Sequence, residues 1–292
     1  MLFDIYSHKE EKIIKKIICN ILHYLILILI SFISLMPLLS CILTSFKTPE
    51  EMGTSPTALP ENILNFENYK VAINDGNLLL AFGITLIIVL CSIVLSTLVG
   101  TMLAYALGRL KFRGKKIILL LFVLAAFIPT ITLQTSVYKM MVSFELVNTV
   151  LGYVILLSGT DIFAIAIFMN YFEKTSQMYD DSAILDGCSK WKIFTRIHLP
   201  RMKPVLLTMA ILKGINIYNE YYLANLYLQD KINYPTITTS LYSFIGPFGS
   251  QYNVICSGII LTLIPIFVTY LILQKQIYNS ISGNFKIKKE KK

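Results

Sequence analysis

Residues 78–107 read LLLAFGITLIIVLCSIVLSTLVGTMLAYAL, 30 positions without a charged side chain. A helix of about 20 apolar residues crosses the roughly 30 Å hydrocarbon layer of a bilayer. In lipid every backbone amide must bond within the protein, so only helices and closed barrels span it. The run does not alternate apolar and polar residues, as a barrel strand would, so it is read as a helix. Similar stretches extend from about Ile17 to Phe46, Ile117 to Val137, Val150 to Phe172, Pro204 to Leu226 and Val254 to Leu273. The expected fold is all-α and polytopic, with six transmembrane helices. Composition agrees: 55% of residues are hydrophobic and 15% charged. A water-soluble chain of this length has to wet more of its surface. The first apolar run is longer than a signal-peptide core, and no small-residue cleavage site follows it.

Charge sets the orientation. Of the 26 Lys and Arg residues, 21 fall in the N-terminal tail, the "GRLKFRGKK" connection at 108–116, the 173–203 loop and the C-terminal end. Lys47, Lys70, Lys139 and Lys231 lie on the opposite side, and Lys213 lies inside the fifth stretch. Basic loops stay in the cytoplasm, which predicts a multi-pass membrane protein with both termini cytoplasmic. The domain reading is a basic tail at 1–16, a single six-helix domain at 17–280 with an external loop at 47–77 and a cytoplasmic loop at 173–203, and a basic tail at 281–292. The external loop is long enough for a short helix on the outer face. The net charge of +9 is thus a topology signal, and no nucleic-acid partner is expected. Cys19, Cys41, Cys91, Cys188 and Cys256 form no CxxC pair, and His8, His23 and His198 are scattered. Neither a disulfide framework nor a metal site is expected.

The loop segment DDSAILDGCSKWKIFTRIHLP, residues 180–200, is unusually patterned. Ser176 is placed to cap a helix, with Asp180 and Asp181 in its early turns, where negative charge complements the helix dipole. Gly187 is the natural stop. Ser189 starts a second helix, on which Trp191, Phe194 and Ile197 form an apolar stripe, and Pro200 ends it. Two short amphipathic helices joined at a glycine elbow suit either an interfacial position on headgroups or docking to a protein. The acidic first helix with its small Ser182–Ala183 centre favours a protein.

This segment resembles the loop of ABC importer permeases, whose pattern is E-A-A-x-x-D-G-x-x-x-x-x-x-F-x-x-I-x-L-P. Here Asp181, Ser182, Ala183, Asp186, Gly187, Phe194, Ile197, Leu199 and Pro200 occupy its positions, with Asp and Ser standing for Glu and the first Ala. Other stretches are similar to the carbohydrate-importer branch, specifically the maltose-type second permease, a binding-protein-dependent transport system inner membrane component. They are PENILNFENY (60–69), AYALGRLKFRGKK (104–116), FIPTITLQTSVYKMMVSFELVNT (127–149), IYNEYYLA (217–224) and LQKQIYNSISGNFK (273–286). The resemblance implies a bacterial plasma-membrane permease for a sugar or oligosaccharide. Its partners would be a second homologous permease in a heterodimer, a cytoplasmic ABC ATPase dimer, an extracellular solute-binding protein and membrane lipid. The 173–203 loop would be the coupling element. No G-x-x-x-x-G-K-[ST] phosphate loop is present, so the chain binds no cofactor of its own, and ATP with magnesium belongs to the partner ATPase.

Ionisable groups at membrane depth are costly and mark functional positions. Asp161 and Glu220 are therefore candidates to line a translocation path, with Lys213 as a pairing partner for Asp161, and Asn216, Tyr218 and Asn219 join them as hydrogen-bonding and aromatic groups that would suit a polyol. The alternative is that they pair only to set helix packing. An importer for a non-sugar solute, such as a phosphorylated polyol or peptide, would carry the same loop. A membrane enzyme is disfavoured, since neither HExxH nor GxSxG occurs.

Overall fold

A computed structural model describes residues 2–159, 161–246 and 249–281. Its long helices are α1 (Leu2–Ser45), α4 (Leu78–Arg109) and α15 (Tyr252–Ile281), with the short α2 (Pro49–Thr54) and α3 (Glu67–Asn74) between the first two. After α4 come α5 (Lys115–Ala126), α6 (Thr130–Ser143), α7 (Val150–Leu157) and α8 (Ile162–Lys174). The loop helix α9 (Met178–Leu185) precedes α10 (Lys190–Ile193), a π-helical turn (Phe194–His198) and α11 (Leu199–Arg201). Then follow α12 (Lys203–Tyr218), α13 (Tyr222–Tyr227), α14 (Ile237–Tyr242) and a two-residue hairpin, β1 (Ile245–Gly246) with β2 (Gly249–Ser250).

Three helical stretches are long and apolar enough to cross a membrane: Lys16–Ser45, Leu78–Arg109 and Tyr252–Ile272. Two bent pairs, α5 with α6 at 103° and α7 with α8 at 54°, raise the number to five where each pair counts as one span. Pro129 stands at the first bend as the N-cap of α6, where it has no backbone N–H to contribute to a continuing helix. The expected stretch 204–226 is not one helix. It breaks at Asn219–Tyr221, leaving α12 with 16 residues, about 24 Å at 1.5 Å per residue. The basic tail expected at 281–292 lies, beyond Ile281, outside the described residues, as does the end of the 273–286 stretch.

The chain forms two compact units. In residues 73–243 with 262–292, α4 is the central element. Its buried face combines the small or short Ala81, Thr85, Ser92, Gly100, Thr101 and Ala104 with Leu78, Ile88, Tyr105 and Leu107. Small residues let helix backbones approach closely where lipid offers no hydrophobic driving force. A Cβ at Gly108 would sit 3.0 Å from Phe172 Cβ on α8, and one at Gly100 would sit 3.4 Å from the Phe168 ring. Thr85 Oγ1 accepts the Ile237 amide at 3.0 Å, fixing the start of α14.

The other unit, residues 1–72 with 244–261, is organised around buried polar groups. Asn68 Nδ2 donates to the carbonyls of Ser45 and Lys47, both at 2.8 Å. Asn253 Nδ2 donates to Asn68 Oδ1 at 2.8 Å, and the Ser257 hydroxyl donates to Asn68 O at 3.0 Å. The Lys47 ammonium, buried, donates to Ser55 O at 3.1 Å and Pro56 O at 2.6 Å. Phe46, Phe66 and Tyr69 pack ring to ring beside this network. Asn68 and Tyr69 are the closing residues of the PENILNFENY stretch, so that stretch has a structural role in tying the connection after α1 to the start of α15.

Candidate functional site

The 173–203 loop is held against α4 and α8 by a buried ionic cluster. Asp180, in the first turn of α9, bridges two elements. Its Oδ1 lies 2.6 Å from His198 Nε2 and its Oδ2 lies 3.3 Å from Arg109 Nε. Arg109, at the end of α4, also donates from a terminal guanidinium nitrogen to Thr175 O (2.8 Å) and Ser176 O (3.1 Å). His198 is fully buried, its ring packed against Tyr105 and Phe172 at 5.6 and 5.4 Å. Phe194 closes the same aromatic cage against Tyr105 at 5.1 Å.

Burial pushes the His198 pKa down, against the opposing pull of the Asp180 hydrogen bond. Charge balance points the same way. One guanidinium already neutralises one carboxylate here, so a protonated imidazole would be an uncompensated buried charge. Neutral His198 then donates from Nε2–H to Asp180. Its Nδ1, which has no hydrogen-bond partner, is the bare acceptor of that tautomer.

Two sequence expectations about the loop are corrected. The Ser176 hydroxyl accepts the Met178 amide at 3.3 Å, but the helix starts at Met178 with Gln177 at the N-cap position. Pro200 does not end the second helix, which continues through the π-helical turn into α11, with Pro200 in its first turn. A π-turn inserts one extra residue and rotates everything after it by about 100°. The register after Phe194 therefore changes, and His198, rather than Ile197, reaches the buried side. Of the expected stripe, Trp191 and Phe194 pack ring to ring at 5.6 Å, with Phe194 buried and Trp191 exposed, and Ile197 is half-buried. Gly187 has φ +75° and ends α9 as anticipated, and Ser189 Oγ accepts the Lys192 amide at 3.3 Å as the cap of α10.

Of the candidate coupling residues, Ala183 and Phe194 face inward, Ile197 and Leu199 are half-buried, and Asp181, Ser182, Asp186, Gly187 and Pro200 are exposed. Around them Met178, Ile184 and Trp191 are also exposed, and Leu185 is 88% exposed. An exposed apolar cluster rimmed by polar residues suits contact with a protein or a membrane surface.

The intramembrane candidates divide between two groups. Asp161 N-caps α8 by accepting the Phe163 amide at 2.9 Å. Glu220 accepts the Leu223 amide at 2.9 Å after the break between α12 and α13. Both acids thus serve broken helices, whose free amides otherwise lack partners in lipid. Lys213 Nζ lies 3.4 Å from Gly159 O at the other side of the α7–α8 break. Asp161, Lys213 and Asn216 line a cavity of about 180 Å³ with Ser96, Thr97 and Gly100 of α4. The same three residues line an adjoining cavity of about 780 Å³ that Glu220 also borders. Tyr218 and Asn219 line neither. The Tyr218 hydroxyl donates to Thr262 O at 2.8 Å, and Asn219 Nδ2 donates to Ile215 O at 2.9 Å.

Sequence reasoning missed Arg109 and His198 as site residues, since their common partner Asp180 lies 71 and 18 positions from them. The remaining signal was a histidine inside an otherwise amphipathic helical pattern. Among the described residues no cluster of metal-ligating side chains occurs.

Residues 97–282 match the family described as binding-protein-dependent transport system inner membrane component. The probable starch degradation products transport system permease protein AmyC of Thermoanaerobacterium thermosulfurigenes is 29% identical over 87% of this chain and 92% of its own. The arabinooligosaccharides transport system permease protein AraQ of Halalkalibacterium halodurans is 30% identical over 84% and 88%. In fold, the chain is similar to a bacterial ABC transporter involved in the import of the acidic polysaccharide alginate. The TM-score is 0.76 at 20% identity, over 88% of this chain and 96% of that one. The chain belongs to the family of binding-protein-dependent transport system inner membrane components, and it is a transport component rather than an enzyme.

Proposed function

We propose that this protein is one permease subunit of an ATP-driven importer that brings an oligosaccharide into a bacterial cell. It forms half of a translocation path with a second homologous permease, receives substrate from an extracellular binding protein, and binds no nucleotide itself. Six membrane passages carry the chain, with both termini in the cytoplasm; the broken α12–α13 segment is one of them. The 173–203 loop docks on a cytoplasmic ATPase through Asp181, Ser182, Asp186 and Gly187 and the apolar side chains around them. The observation that carries this reading is the loop itself, pinned from beneath by Arg109, Asp180 and His198 while its acidic and apolar top stays exposed. Ser96, Thr97, Asp161, Lys213, Asn216 and Glu220 supply hydrogen-bonding groups along the cavities, the kind of lining a polyhydroxylated solute requires. The names of the relatives, which transport starch degradation products and arabinooligosaccharides, support a carbohydrate.

The test is ATP hydrolysis by the complete complex in proteoliposomes, with binding protein and a panel of maltodextrins, arabinooligosaccharides, a phosphorylated polyol and short peptides. Stimulation by one of the oligosaccharides is expected. Stimulation by the polyol phosphate or a peptide alone would move the assignment to a non-sugar importer.

A further inference from the structure

The ionic cluster under the loop joins three elements that the chain keeps far apart: the end of α4, the first turn of α9 and the π-helical turn. Burying charged groups where apolar ones would pack equally well gains little stability. What such a cluster supplies is a single permitted geometry, because any slippage leaves a buried charge unpaired. The directions of its bonds matter here. Asp180 faces α4 through one oxygen and the second loop helix through the other. Arg109 closes the ring by holding the carbonyls of Thr175 and Ser176 at the end of α8. Tyr105, one turn back from Arg109, donates to Lys190 O at 3.4 Å at the start of α10. Both helices of the loop are therefore fastened to the same turn of α4. Nine residues earlier on that helix, about 14 Å away at 1.5 Å per residue, Gly100 lines the smaller cavity with Ser96 and Thr97.

We propose that Arg109, Asp180 and His198 make the 173–203 loop and the end of α4 a single moving body. Displacement of the loop thereby becomes displacement of the α4 wall of the cavity. Asp180 is the positioning residue of this linkage. The inference rests on the reading that the loop docks on an ATPase, and adds how motion leaves the loop. The π-helical turn belongs to the device, since it carries His198. Helices with an extra residue of this kind recur at functional positions.

The experiment uses spin labels on Leu185→Cys at the loop and Lys111→Cys beyond α4, both exposed positions, with the five native cysteines replaced by serine. Distances are measured in the assembled complex without nucleotide and with ATP trapped. In the parent the label separation should be narrow and equal in the two states. In Asp180→Asn and in His198→Gln the distribution should broaden and shift with nucleotide, and Asp180→Glu, which keeps the charge, should restore the narrow distribution. A separation that changes with nucleotide in the parent, or an Asp180→Asn distribution identical to it, would overturn the linkage. Melting temperature is recorded for each variant, so that a variant that has merely unfolded is recognised and the Asp180→Glu comparison decides. Retention of the ATPase by the parent during purification reports separately on docking, so that a failure of docking is distinguished from a failure of the linkage.

Discussion

A single methyl group at Gly108 tests the α4–α8 contact that carries the site. The added Cβ would lie 3.0 Å from Phe172 Cβ, whereas carbon atoms rest about 3.5–4.0 Å apart. Phe172 cannot swing clear, because the clash is with its Cβ, next to the backbone, and its ring is locked against Tyr105 and His198 at 5.4 Å each. Helix α8 must move by about half an ångström, at an overpacking cost of about 1–3 kcal/mol. Alanine returns about 1 kcal/mol of helix propensity relative to glycine. Gly108→Ala should therefore lose up to about 2 kcal/mol net, with a melting temperature lower by about 2–4 °C for each kcal/mol. Gly100→Ala meets a rotatable ring edge at 3.4 Å, and Gly83→Ala meets nothing within 4 Å, so both should be neutral or slightly stabilising. The assay is thermal unfolding of the purified chain in one detergent. A Gly108→Ala protein as stable as Gly100→Ala would refute the reasoning, since the order depends only on which atom the new methyl meets.

Three further outcomes follow from the same geometry. Asn68→Ala should destabilise the unit around the α1–α15 connection by about 1–3 kcal/mol for each buried group left without a partner, and a smaller loss than one such group in thermal unfolding would contradict the network. His198 has its pKa lowered by burial. The folded state then binds the proton less readily than the unfolded chain, so stability is full above the ordinary histidine pKa of about 6.5 and declines as pH falls below it; His198→Phe should flatten that part of a melting-temperature profile. Gly187 has φ +75° with open space around its Cα, so Gly187→Ala should cost only the left-handed backbone penalty of about 1–2 kcal/mol and Gly187→Asn less, an order readable from ATPase retention by the two variants.

The long continuous helices were legible because uninterrupted apolar runs leave a chain in lipid few alternatives. Gly187 and Ser189 were legible because a left-handed stop and a hydroxyl cap are local chemistry. The breaks within 150–174 and 204–226 were not, since hydropathy averages over them. In hindsight Asp161 and Glu220 were the signals, each an acid standing a few residues before amides that need a partner. Pro200 misled because a proline usually stops a helix, whereas here the chain stays helical through it, just after a π-helical turn. Asp161 and Glu220 reached the cavities as candidates on grounds of membrane cost, and Asn216 as a hydrogen-bonding group suited to a polyol. Tyr218 spends its hydroxyl on the Thr262 carbonyl, a partner 44 residues on that no local pattern announces. The Arg109–Asp180–His198 cluster is tertiary in the same sense: each residue had a bland local reading, and only the fold brings them together.

In the proposed function, the exposed top of the 173–203 loop takes its drive from an ATPase. This is tested most directly by ATP-dependent uptake into proteoliposomes holding the complete complex, comparing the parent with Asp186→Arg and Gly187→Pro at matched protein content. Both variants should insert normally and lose uptake by at least about tenfold, the scale of a broken coupling between sites. Uptake equal to the parent in both would contradict the account.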